Sequence, residues 1–388
     1  MKNIKNTIML SICVILSLSL TSCWSSVELN KLGIVTGVAL DKSSKAEDLN
    51  ITAQIGVPKL EKSNSGVGGK AQFINIKEKG KNVSDALKNI SREYNRELFF
   101  AHNQVVIFNK DLAQQGISEQ LDFFLRQREM RPLTWMLVSN GEAASILETN
   151  TNTQDDPGIN IGKLIKNEKN VSQLPSINFK EFTARLMSKT TSPVIPIIDM
   201  KTVDEKTKVP YIASTAVFKK DKMIGELNES ESMGLLWGIN KVKYGTITVN
   251  SPNGNDKVAV RILRAKTHIK PKVEGEHIYM NIYIDAEGDI LEQTSSEDLS
   301  IPKIIKVVEE NENLYIGNQV LSTWSKAKEM NADVFGFGDL IYKYKPKKWK
   351  AIENKWDTEF QKITVNVEVD AKIRRMGKIT KPSTYQGK

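Results

Sequence analysis

Cysteine is nearly absent from this 388-residue chain: the only two are Cys13 and Cys23, both near its start. Everything downstream therefore lacks a thiol for a disulfide, a zinc site or a nucleophile, and stability has to come from packing. Histidine is scarce as well, at three residues. With no Gly-x-Ser-x-Gly elbow either, an exported hydrolase would have neither its nucleophile nor its base. No apolar run after residue 20 approaches the ~20 residues that a membrane span requires. Phosphate-binding glycines are incomplete: Gly69-Lys70 has Asn64 where the first glycine belongs and Ala71 in place of Ser or Thr. A calcium loop fails in the same way. Asp285, Glu287 and Asp289 have ligand spacing, but Ile290 replaces the required glycine and Ser296 the bidentate glutamate. Residues 285–289 read as a strand-end turn, and no catalytic residue, metal site or cofactor is expected.

What is present begins with a leader. Lys2 and Lys5 form a basic start, residues 8–20 an apolar stretch, and Leu20-Thr21-Ser22-Cys23 a lipobox with a small residue before the cysteine. The thiol of Cys23 is the atom on which a diacylglyceryl thioether would form before residues 1–22 are removed, leaving Cys23 as the mature N-terminus. Two acyl chains matter, because each buried methylene contributes roughly 0.8 kcal/mol and one chain alone holds a protein only marginally. The competing reading, a transmembrane helix, needs a longer apolar stretch than this one. Net charge is +9, and loss of Lys2 and Lys5 with the leader leaves +7. A basic protein tethered to an anionic bilayer tends to lie against it. Nucleic acid is the rival explanation of the charge, but an exported, anchored chain rarely meets any, so no nucleic-acid partner is expected.

Patterning then gives the elements. Apolar, β-branched runs at 34–40 and 50–57 with a polar connection predict a hairpin, and 73–79 a third strand. Residues 63–70 are glycine- and serine-rich and read as a mobile loop. Val83, Ala86, Leu87, Ile90 and Tyr94 share one helical face. Residues 99–108 read as one buried strand, with His102 as a structural residue at its start. Helices are expected around 117–125, 142–147 and 179–187, and a strand at 133–139. Prolines 193 and 196 keep 193–198 extended. Farther on come a strand, turn and strand at 212–227, a helix at 229–239, and three strands at 258–265, 267–273 and 277–286. Residues 302–330 read as a helix whose stripe shifts, implying either burial on two sides or a break near Gly317. Residues 341–350 interleave lysines with Tyr342, Tyr344 and Trp349. That pattern suits single-stranded nucleic acid, lipid headgroups, or most plainly a solvated helix end whose Trp349 and Trp356 pack inward. Alternation at Ile363, Val365, Val367 and Val369 marks a last strand, with a polar, frayed tail after Gly377.

Several stretches carry a resemblance. Cys23-Trp24 leads through Glu28-Leu29 to Gly33-Ile34-Val35-Thr36-Gly37-Val38-Ala39-Leu40-Asp41; farther on come Phe100-Ala101-His102, Pro193 to Pro196, and Thr215-Ala216-Val217-Phe218. Gly234-Leu235-Leu236-Trp237 and Asp333 to Gly338 complete the set. Together they resemble the Ger(x)C lipoproteins, the C subunits of nutrient germinant receptors in endospore-forming bacteria. Two positions depart: Ser25 where the family has Asp, and Ser214 where it has Gly. The resemblance implies a non-enzymatic, lipid-anchored subunit on the extracytoplasmic face of the spore inner membrane, partnered by an integral-membrane A subunit and a permease-like B subunit. It leaves direct germinant binding open. A lipid-anchored solute-binding protein is the alternative, requiring two similar lobes. The fold expected is α+β, in two or three domains with mixed or mainly antiparallel sheets and packed helices. Residues 23–200 form an N-terminal α/β part, 201–211 a linker and 212–388 a C-terminal α+β part.

Overall fold

A computed structural model of the chain describes residues 4–6, 9, 28–45, 48–57, 73–149, 156–204 and 207–377. Cys23, the 63–70 loop and the tail after Gly377 lie outside the described residues, as does most of the leader.

The first sheet is built around β1 (Leu32–Lys42), whose residues from Val35 to Asp41 are all buried. It pairs antiparallel with β2 (Leu49–Gly56), which pairs antiparallel with β3 (Phe73–Gly80), so the expected hairpin and third strand form. On its other side β1 runs parallel to two short strands, β4 (Glu97–Phe99) and β5 (Val105–Asn109). Residues 99–108 are thus not one strand; a turn between the two breaks the ladder, and His102 sits exposed in that turn, its ring 6.1 Å from Phe99. β5 continues in parallel to β6 (Trp135–Ser139) and β7 (Val194–Thr202), and the sheet closes antiparallel through β8 (Lys208–Lys219) and β9 (Lys222–Leu227).

Both faces of the parallel centre are covered, as such sheets require. Val38, Leu40, Val106, Phe108, Met136 and Val138 point to one cluster, which α1 (Val83–Glu93), α2 (Lys110–Gln115), α3 (Ser118–Arg126) and α6 (Phe179–Leu186) help build. The alternate residues Ala39, Val105, Ile107 and Leu137 meet α4 (Ala143–Leu147) and α5 (Pro157–Val171) on the other face. The period of two decides which residue faces which layer.

The second sheet has the order β10-β11-β12-β13. β10 (Gly245–Asn250) has no counterpart in the strands expected from sequence. β11 (Lys257–Glu274) is one 18-residue strand where two were expected; register shifts opposite Val260 and Arg264 absorb the irregularity. β12 (His277–Gln293) contains residues 285–289, so these lie within a strand and make no turn. α7 (Glu229–Gly238) leads into this half, and α8 (Pro302–Glu329) crosses it. α8 runs 28 residues without a break at Gly317, and its burial spreads from Val308 and Ile316 round to Val320, Thr323 and Ala327. Of the two readings of its shifting stripe, burial on two sides is the one realised. Gly234 of α7 meets Gln319 and Thr323 of α8, leaving no room for a side chain there. α9 (Phe337–Tyr344), α10 (Pro346–Ile352) and α11 (Trp356–Phe360) return the chain to β13 (Thr364–Arg375), which lies parallel to β12.

Residues 201–211 are not a linker. Lys201 pairs with Val209 and Thr202 with Lys208, so the described residues on either side of 205–206 zip together as β7 and β8, and the first sheet takes two strands from beyond them.

Candidate functional site

Buried carboxylates are the natural place to look for chemistry, and the structure gives two of them structural work. Asp41, at the end of the Gly33 to Asp41 motif, accepts from the backbone N–H of Ala143 (2.6 Å) and Ala144 (3.0 Å) and so caps α4 across the sheet. Burial pushes its carboxyl up, against those two donors. Asp333 does the same for α9. Its carboxylate accepts from Phe337 N and Gly338 N, both at 2.8 Å. Gly336, at φ 76°, takes the left-handed conformation that turns the chain into the helix. Burial pushes Asp333 up to about 7, opposed by the helix-start N–H groups.

Around Asp333 the two halves are clasped. Arg185, in the last turn of α6, donates from Nη1 to the carbonyls of Ser192 (3.1 Å) and Val334 (3.0 Å), one from each half. Ser192 N donates to Asp333 O at 2.9 Å, continuing the join through the backbone. Outside it, Ser188 and Thr191 donate hydroxyls to Asp339 at 2.8 and 2.7 Å. Lys219 Nζ reaches Asp357 at 2.9 Å. Beside the clasp a cavity of about 460 Å³ opens between α5, α6 and the end of α7, with Leu174, Ile177 and Leu236 among its walls and Glu168, Glu181 and Lys241 among its polar groups. This seam joins the halves through side-chain and backbone hydrogen bonds alike. It can hold and orient: Asp333 is committed to a helix start, Asp339 to two hydroxyls, Asp357 to Lys219, and Arg185 to carbonyls.

The residues singled out by sequence are scattered. His102 is an exposed turn residue with no second histidine beside it: the others, His268 and His277, belong to the second sheet. Among the described residues no three His, Cys, Asp or Glu side chains cluster in a way that would hold a metal ion. Asp285, Glu287 and Asp289 sit on β12, where Glu287 is taken by Arg264 (2.5 Å) and Arg374 (2.7 Å). Trp349 and Trp356 pack inward, ring centroids 5.5 Å apart, while Tyr342 and Tyr344 stay exposed. That arrangement is the solvated helix end. Sequence reasoning passed over Arg185 and the capping roles of Asp41 and Asp333. The Asp-x-x-Gly-Phe-Gly spacing from Asp333 is a helix-start signal, but nothing local marks Arg185, whose partner Val334 lies 149 residues away.

No helix among the described residues is long and apolar enough to cross a membrane. Two family profiles match the chain: the one described as Spore germination protein N-terminal domain over residues 25–200, and Spore germination B3/GerAC like, C-terminal, over 213–377. Spore germination protein KC of Bacillus subtilis is 26% identical, with 98% of each chain covered. Spore germination protein YndF of the same organism is 28% identical over 96% of each. Spore germination protein A3, also of Bacillus subtilis, is 25% identical over 94% of this chain and 96% of its own. The crystal structure of the GerBC protein superposes with a TM-score of 0.56 at 17% identity, covering 87% of this chain and 96% of that one, so the fold is shared. With both profiles spanning nearly all of the folded chain, the protein belongs to the Ger(x)C family of spore germination proteins.

Proposed function

We propose that the chain is the lipid-anchored, non-enzymatic C subunit of a nutrient germinant receptor. In this reading a diacylglyceryl group on Cys23 holds it to the extracytoplasmic face of the spore inner membrane, beside an integral-membrane A subunit and a permease-like B subunit. The observation that carries the reading is coverage: the two family profiles extend over 25–200 and 213–377, which takes in all of every strand from β1 to β13 except the end of β7 and the start of β8. The seam agrees with it, since its charged groups join the halves.

Three measurements test the reading. The A and B subunits should copurify with this chain from solubilised spore membranes. Loss of the chain should abolish the response to one set of nutrients while germination by non-nutrient triggers continues. Cys23→Ala should abolish fatty-acid labelling and impair the nutrient response; label persisting on that variant would remove the anchor from the reading. The solute-binding alternative asks for two similar lobes, whereas the two sheets here have nine and four strands. Calorimetric titration with amino acids, sugars and nucleosides separates the two, and saturable micromolar binding by the chain alone would overturn the scaffold role.

A further inference from the structure

Because β1, β5 and β6 are parallel, their first residues lie toward one edge of the first sheet. The chain enters β1 at Leu32 on that edge, beside β4. The turn before β5 and the segment before β6 are tied together there: Thr134 Oγ1 donates to Asn103 O at 3.1 Å, and Trp135 N to Gln104 O at 2.9 Å. The segment 127–132, the end of α3 and α6 enclose a groove of about 330 Å³ over Phe124, Met130 and Phe179. Apolar side chains project from it and beside it: Leu125 is 51% exposed, Leu133 65% and Met187 80%. Arg126, Arg128, Arg131 and Lys180 are exposed around them. Of the nearby acids, Asp122 is engaged by Arg126 at 2.7 Å, and Glu129 accepts from Phe100 N at 3.4 Å.

We propose that this edge is a membrane-docking surface, on which Leu125, Leu133 and Met187 enter the headgroup layer of an anionic bilayer while the surrounding arginines and lysine meet lipid phosphates. The inference rests on the reading of Cys23 as the lipid-bearing residue, and chain length supplies the geometry. Cys23 precedes Glu28 by five residues, which reach at most ~18 Å when fully extended. Neighbouring strands are ~4.8 Å apart, so β6 lies ~10 Å across the sheet from β1, and its first residue, level with Gly37, is ~16 Å along the strand from Leu32. Whatever path residues 24–27 take, so short a tether keeps the groove's edge within reach of the bilayer surface. Separate apolar side chains ringed by long basic ones fit a bilayer surface, where the stems bury and the charges stay with the phosphates.

The mature chain has no cysteine but Cys23, which the thioether blocks, so single cysteines can report position. Leu133→Cys and Met187→Cys, with Leu321→Cys on α8 as the contrast, each carry an environment-sensitive fluorophore in lipidated protein on phosphatidylglycerol–phosphatidylethanolamine vesicles. The first two labels should shift to the blue and be quenched by lipid-borne quenchers, and the third should not. Arg128→Glu combined with Arg131→Glu should abolish the shift while the protein stays on the vesicles through its lipid, and high salt should reduce it. Mass spectrometry of the N-terminal peptide decides the anchor separately. Should Cys23 carry no lipid, the same labels placed in a Cys23→Ala background read docking when vesicles are added to the protein. Labels at 133 and 187 that ignore lipid, that respond no differently from 321, or that respond only when the integral-membrane subunits are reconstituted would each overturn the proposal.

Discussion

Glu312 is 1% exposed in the middle of α8, and its Oε2 has no hydrogen-bond partner among the described residues. Burial, with Glu309 adding to it, pushes the carboxyl up to about 7. The folded chain therefore keeps this proton over a range in which the unfolded chain has released it. The penalty for ionisation is absent below the ordinary glutamate range and complete above about pH 7. Its full size is about 3 kcal/mol. Glu312→Gln should raise the melting temperature at pH 8 and leave it nearly unchanged at pH 4; equal stabilisation at both values would show that charge burial is not the cause. Arg185 works in the opposite sense. Arg185→Met leaves the carbonyls of Ser192 and Val334 without their donor and a buried Asp333 without its nearby cation. A loss of about 2–4 kcal/mol is expected by urea denaturation, and a loss below 1 kcal/mol would mean that water replaces the clasp.

The β7–β8 hairpin shows how an element is misread from composition. Residues 201–211 are charged and follow a proline-marked strand, which is the signature of a linker, yet nine residue pairs from Val194↔Val217 to Thr202↔Lys208 zip the two strands together. A protease nick between residues 203 and 207 should therefore leave the two pieces coeluting on size exclusion, to separate only under denaturing conditions. Pieces that part in native buffer would restore the linker. Short-range pattern was enough for β1, β2, β3, α1 and α7: β1 and β2 are continuous runs buried at nearly every position, α1 buries the one face its spacing marks, and α7 is buried at every position from Ser232 to Gly238. It failed where long-range partners decide. The break between β4 and β5 is imposed by pairing both with β1, and Gly288 reads as a turn residue yet sits in β12, where a side chain would strike Val260.

At the scale of the whole molecule, one hydrophobic cluster extends from Val35 of β1 through Phe218 and Trp237 to Ala371 of β13. Phe182 and Phe218 stack edge to face at 5.5 Å across the division expected from sequence. Trp237 is fully buried and donates from Nε1 to Gln319 Oε1 at 3.2 Å. Neither half can lose its packing without exposing apolar surface on the other, and apolar area costs about 25 cal/mol per Å² when uncovered. The sequence showed two pattern blocks but carried no sign of this common core, since its contacts join residues far apart in the chain, such as Trp237 and Gln319, 82 positions from one another. Thermal unfolding followed by tryptophan fluorescence and by far-UV circular dichroism should give coincident curves and one calorimetric peak. Arg185→Met should shift that single peak rather than split it, because the clasp and the cluster restrain the same seam. Two resolved transitions in the unmodified chain, with the strands of one sheet melting while Trp237 stays buried, would show that the halves move independently and that the seam is a hinge instead of a weld.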